Sequence, residues 1–134
     1  MKGLVSRTMK SFTEYNVDRK ELDFWFDHIN NEIFDGEVPY PHVVDIRKQK
    51  NTWGYVKEVE ITVTKKEQPV DMKLVGLFMQ PTYPTLGAFL QILAHEMVHI
   101  WQLMVINDTG NHNKHFYSWR EKFKEHNLDL KRCY

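Results

Sequence analysis

The sequence predicts one domain of mixed helices and strands, and three observations carry that reading. Residues 18–34 and 86–106 each repeat apolar side chains at three- and four-residue spacing, the period of a helix with a buried face. Between them, residues 43–47, 53–64 and 74–79 read as short strands bounded by turn residues. A length of 134 residues, 42 % hydrophobic and 27 % charged, suits one soluble globular domain with one modest core.

Taken in order, residues 1–17 are polar with scattered apolar positions and read as a partly ordered lead-in. Asp18 and Glu21 form a capping box, followed by the stripe Leu22, Trp25, Phe26, Ile29 and Ile33. That first helix is expected to end near Phe34, with Gly36 placed to terminate it. Val38-Pro39-Tyr40-Pro41 is a turn or extended linker. In the second strand candidate Val59, Ile61 and Val63 alternate with polar residues, which predicts one buried and one wet face. The segment 65–69 reads as a turn, and 74–79, apolar on both faces, as the more central strand. Thr85 is the expected N-cap of the long helix over 86–106, roughly 30 Å of chain. Residues 107–111 form a tight turn in which Gly110 is free to take positive φ. A last helix is expected from about His112, with Phe116, Trp119 and Phe123 buried, and residues 128–134 form a polar tail.

Eighteen basic residues balance eighteen acidic ones, so net charge gives no argument for nucleic acid. Residues 1–12 hold no apolar stretch of the kind a secretory signal needs. Cys133 is the only cysteine, which excludes an intrachain disulfide and a Cys-rich zinc ribbon and fits a cytoplasmic protein. Polar residues interrupt the long apolar helix, so a membrane span is not expected.

Those interruptions carry the chemistry. His95-Glu96-Met97-Val98-His99 is H-E-x-x-H in the middle of the most apolar helix. Burying an imidazole or carboxylate without a partner costs several kcal/mol. His95 and His99, at i and i+4, project from one face and can bind one zinc ion. Glu96 points sideways, beside the metal without ligating it, and can take the proton of an attacking water. A catalytic zinc needs a third protein ligand. The turn at 107–111 brings both His112 and His115 back toward the helix, and either can supply it. His112, four residues before Phe116, extends the buried stripe of the last helix and is the preferred ligand. His115 is the alternative if that helix starts later.

Four stretches together resemble the SprT-like metalloprotease family, which includes the Spartan proteases. Ile33-Phe34-Asp35-Gly36-Glu37-Val38-Pro39 resembles the family's helix-ending segment, and Thr52-Trp53-Gly54-Tyr55 its strand start. Leu93-Ala94-His95-Glu96-Met97-Val98-His99 resembles its motif helix, and His112-Asn113-Lys114-His115-Phe116 its third-ligand motif, whose H-x-x-x-F spacing again selects His112. The likeness spans residues 18–125, nearly the whole chain, within a domain drawn as 18–127. It implies an α+β, zincin-like fold with helices packed on a small three-stranded sheet and zinc in the cleft between them. It further implies protein substrates, including protein crosslinked to or associated with DNA. Asn113 departs from the family's usual glycine, and no C-terminal zinc ribbon or DNA-binding extension follows.

The reading is therefore a zinc-dependent endopeptidase, with His95, His99 and His112 as metal ligands and Glu96 as general base. Two rivals belong to other classes. One is a binding module in which zinc is a structural staple, with His115 as a fourth ligand closing the site. The other is a DNA-associated adaptor using Lys48, Lys50, Lys65 and Lys66.

Overall fold

A computed structural model describes residues 3–8 and 12–134. The chain is mixed α+β. A short helix α1 (Leu4–Thr8) and strand β1 (Tyr15–Asn16) precede helix α2 (Arg19–Ile33). Strands β2 (Val43–Ile46), β3 (Gly54–Lys65) and β4 (Gln68–Met79) form a sheet in the order β2-β4-β3, with β2 parallel and β3 antiparallel to β4. Strand β5 (Thr82–Tyr83) pairs with β1. Helix α3 (Leu86–Met104) then crosses the molecule, and α4 (Lys114–Tyr117) and α5 (Arg120–Glu125) follow.

Local chemistry sets these boundaries. The Asp18 carboxylate accepts from the Glu21 N–H at 2.8 Å and starts α2. Glu21 does not return the favour; its own carboxylate accepts from Tyr15 Oη at 2.8 Å. At the other end the Gly36 N–H reaches the Asn30 carbonyl at 2.9 Å, with Gly36 at φ 77°, a left-handed closure that glycine adopts without strain. Thr85 caps α3 by accepting from the Ala88 N–H at 3.0 Å.

Helix α3 is the hub and touches α1, α2, α4, β3, β4 and β5. Phe89, Leu90, Leu93, Met97 and Ile100 are buried on it against Ile29 and Ile33 of α2 and Leu77 and Met79 of β4. The central position of β4 follows from Val75, Leu77 and Met79 being buried there.

Several features differ from the sequence expectation, the β1–β5 pair among them. The lead-in contains α1, whose Val5 is fully buried. Strands β3 and β4 run as a long hairpin past the helices, so Val59, Ile61 and Val63 are 37–41 % exposed rather than core-facing. The expected turn at 65–69 is only Lys66 and Glu67, at φ 52° and 65°, a two-residue reversal of the kind that matches strand twist. The last helix is broken into α4 and α5 at Ser118–Trp119. The tail is not wholly polar: Leu128 and Leu130 are buried. Among the described residues, no helix is long and apolar enough to cross a membrane.

Candidate metal centre

The middle of α3 places His95 and His99 one turn apart on its buried face, 5 % and 8 % exposed. The loop after α3 carries His112 to them. One ring nitrogen from each of the three lies within 4.8 Å of the others, and the Nε2 atoms of His95 and His112 are 3.5 Å apart. His115 does not join. Its Nδ1 sits 3.3 Å from the Asp108 carboxylate, and its side chain is half exposed. Phe116 forms an apolar floor, its ring centroid 4.7–5.0 Å from all three imidazoles. Tyr134 packs edge-on against His95 at 5.1 Å.

Gln102, fully buried, organises the loop. Its Nε2 donates to the Asn111 carbonyl at 2.8 Å and faces Asp108 Oδ2 at 3.2 Å and Asn113 Oδ1 at 3.3 Å. A carbonyl can only accept, so the amide orientation is fixed and Oε1 faces His99 Nδ1 at 2.8 Å. His99 Nδ1 therefore carries the proton, and Nε2 keeps its lone pair for a metal. Asn113 caps α4 by accepting from the Phe116 N–H at 3.1 Å and donates to Asp108 at 3.0 Å. Its backbone is extended, at φ −103° and ψ −169°, so the position does not need glycine. Positive φ in this loop falls on Asn107, at 52°, and not on Gly110.

Electrostatics leave the imidazoles neutral. Burial, and then repulsion from His99 and His112, push His95 down to about 3. Burial also takes His99 to about 4, against the pull of its Gln102 bond. His112 is lowered by burial and by Arg132. Glu96, 6 % exposed, has its carboxyl raised well above the usual range by burial, and its Oε2 is 3.8 Å from His95 Nε2. Three imidazoles with converging nitrogens are close enough to hold one metal ion. Among the described residues no Lys or Arg stands within ion-pair distance of the Glu96 carboxyl, and a bound cation would favour its ionised form.

The cluster opens onto a cleft of about 620 Å³. The opposite wall is the start of β3, at Gly54, Tyr55 and Val56. Gly54 allows the approach: a Cβ there would stand 2.8 Å from Met79 Sδ and 3.3 Å from both the Phe78 carbonyl and Ile92 Cγ2. Gln80 and Tyr83 hold the preceding loop. Gln80 Nε2 donates to the carbonyls of Gln49 and Thr52, and Tyr83 Oη to that of Trp53. Arg132, Cys133 and Tyr134 close one end.

His95, Glu96, His99 and His112 thus come together as expected, and His115 stands apart. The lysines do not form one patch. Lys65 and Lys66 sit at the hairpin tip, while Lys48 and Lys50 flank the base of the sheet, so about eleven residues of strand, roughly 36 Å, separate the pairs. Sequence reasoning missed Gln102, Asp108 and Tyr134. Gln102 had a signal, as an amide three residues after a motif histidine in an otherwise apolar helix. Asp108 and Tyr134 had none, because their roles depend on where the loop and tail fold back. No family model, curated protein or solved structure matches the chain.

Proposed function

We propose that the protein is a zinc-dependent endopeptidase of the SprT-like type, with a zincin-like core. The observation that carries this reading is the convergence of His112 on His95 and His99 beside the Glu96 carboxyl, at one wall of an open cleft. His95, His99 and His112 would hold the ion. Bound there, zinc would supply Lewis-acid polarisation of a peptide carbonyl and lower the pKa of water. Glu96 takes the proton of the attacking water and passes it to the leaving amine, a role that its place beside His95, with Oε2 3.8 Å from His95 Nε2, supports. Strand β3 is the terminal strand of its sheet, and its start lines the cleft. An extended polypeptide can pair along that edge and present its backbone to Glu96. A structural zinc site closed by His115 is disfavoured by the pairing of His115 with Asp108.

The test compares wild type with Glu96→Gln for zinc content by mass spectrometry and for cleavage of an unfolded protein such as casein. Glu96 is not a ligand, so zinc content should hold while cleavage falls about 10²–10⁴-fold. Equal cleavage by both proteins would refute the assignment.

A further inference from the structure

Beside the metal cleft, and sharing Trp53, Ile92 and Tyr134 with it, lies a second cavity of about 220 Å³. Tyr83, Pro84, Ala88 and Gln91 complete its wall. The polar atoms that three of these side chains bring are already engaged. Tyr83 Oη donates to the Trp53 carbonyl at 2.6 Å and accepts from the Gln80 N–H at 3.0 Å. The Gln91 amide is paired with the backbone of Asp129, donating at 2.6 Å and accepting at 3.1 Å. Tyr134 Oη donates to the Asp129 carbonyl at 2.5 Å and accepts from the Lys131 N–H at 3.0 Å. A polar guest would give up its water and find none of these groups free, which is costly. An apolar guest loses nothing and covers the indole of Trp53, which is 42 % exposed and stands 5.6 Å from the Tyr83 ring.

Position says what the guest is attached to. Trp53 directly precedes Gly54 to Val56, the stretch of β3 edge that faces the metal-binding histidines. Side chains of an extended chain alternate to opposite sides, so a polypeptide lying along that edge can turn one of them toward this cavity. We propose that the cavity is a specificity subsite that takes one large apolar side chain, aliphatic or aromatic, of the polypeptide cleaved at the metal centre. The assignment rests on the endopeptidase reading. Ala88 lies on the wall in the first turn of α3, and a larger side chain there reduces the space.

Two measurements on the zinc-loaded protein separate the subsite from the protease reading. In the first, a peptide mixture of randomised sequence is digested and the cut sites are read by mass spectrometry. Large apolar residues should be enriched at one fixed position relative to the cut. Ala88→Leu should lower cleavage of those peptides by at least tenfold, within the roughly 10–200-fold that a single methylene commands in an apolar pocket. Peptides with glycine or alanine at that position should keep their rate. Ala88→Val is the gentler variant should leucine unfold the chain, with thermal unfolding and zinc content as the check. In the second, the Ile92 methyl resonances are followed by NMR while N-acetyl-phenylalaninamide or N-acetyl-serinamide is added. The phenylalanine derivative should shift them, the serine derivative should not, and Ala88→Leu should abolish the shift. Cleavage without positional preference, together with no shift, overturns the subsite and leaves the endopeptidase standing. Selective shifts with no peptide cut overturn the endopeptidase and leave the cavity as an apolar side-chain site.

Discussion

Gln102→Leu is the most searching perturbation of the proposed metal centre, because it removes none of the three histidines. Leucine is apolar and of similar bulk, so packing around a fully buried position is largely kept. What is lost is the hydrogen bonding of one amide. His99 Nδ1–H loses its acceptor at 2.8 Å, and the Asn111 carbonyl loses its donor at 2.8 Å. Each buried group left unpaired costs about 1–3 kcal/mol, so the variant should lose about 2–6 kcal/mol, with the lower half expected if water enters the loop. For a chain of this size, roughly 3–5 °C accompanies each kcal/mol, which puts the fall in melting temperature at about 6 °C or more. The ring of His99 also loses the partner that fixes its tautomer, and zinc affinity should drop about 10–100-fold. Competition against a chromophoric chelator reads the affinity, and the visible spectrum of the cobalt-substituted protein reads the geometry. Gln102→Glu separates the two jobs of the side chain. A carboxylate still accepts from His99 but cannot donate to Asn111, and it brings a second negative charge beside Asp108. It should therefore destabilise the loop while retaining more affinity than leucine. Zinc affinity and cobalt spectrum unchanged in Gln102→Leu would refute the claim that this amide organises the centre.

Other outcomes follow from the same geometry. His112→Ala should strip zinc while His115→Ala retains it, since His115 meets Asp108 rather than the cluster; chelator competition reads both, and the reverse order would move the third ligand. Removing the metal should lower the melting temperature, because an ion at 100 times its Kd stabilises by about 2.7 kcal/mol; scanning calorimetry with and without chelator measures the shift. On the exposed hairpin, Ile61→Lys should change stability by no more than about 0.5 kcal/mol, whereas Leu77→Ala in the buried part of β4 should cost about 2–5 kcal/mol, both by urea titration.

Helices were legible where one face meets one environment. The stripe of α2, with Asp18 and Gly36 at its ends, and the long apolar α3 behind Thr85 are read directly from spacing. The hairpin was not. Alternation of Val59, Ile61 and Val63 encodes two different faces but not what covers the apolar one, and here the strands outrun the helices. Pro69 closes the segment expected as a turn but lies within β4. It is accommodated because β4 pairs with β2 only over Gly76 to Met79, leaving the outer half of β4 with a free edge where a missing N–H costs little. Leu128 and Leu130 lacked any period, and only the folded tail shows that they return to the core.

The convergence of His95, His99 and His112 was legible in the sequence, but the residues that hold them were not. Helix phase favours His112 only if the last helix is continuous from it, yet α4 begins at Lys114, after the cap Asn113. A different constraint selects it. Gln102 holds the residues on both sides of His112, through the Asn111 carbonyl and Asn113 Oδ1, and so fixes His112 between two anchors tied to α3. Asp108 accepts from Gln102 and Asn113 and takes up His115 as well, which turns that second histidine away from the cluster. The spacing of His112 to Phe116 then acquires a physical meaning. Four residues place the Phe116 ring beneath His95, His99 and His112 at once, where it excludes water from the side of the histidines away from the cleft. The choice between two candidate histidines is made neither by reach nor by helix phase. It is made by one amide and one carboxylate that a search for ligands has no reason to notice.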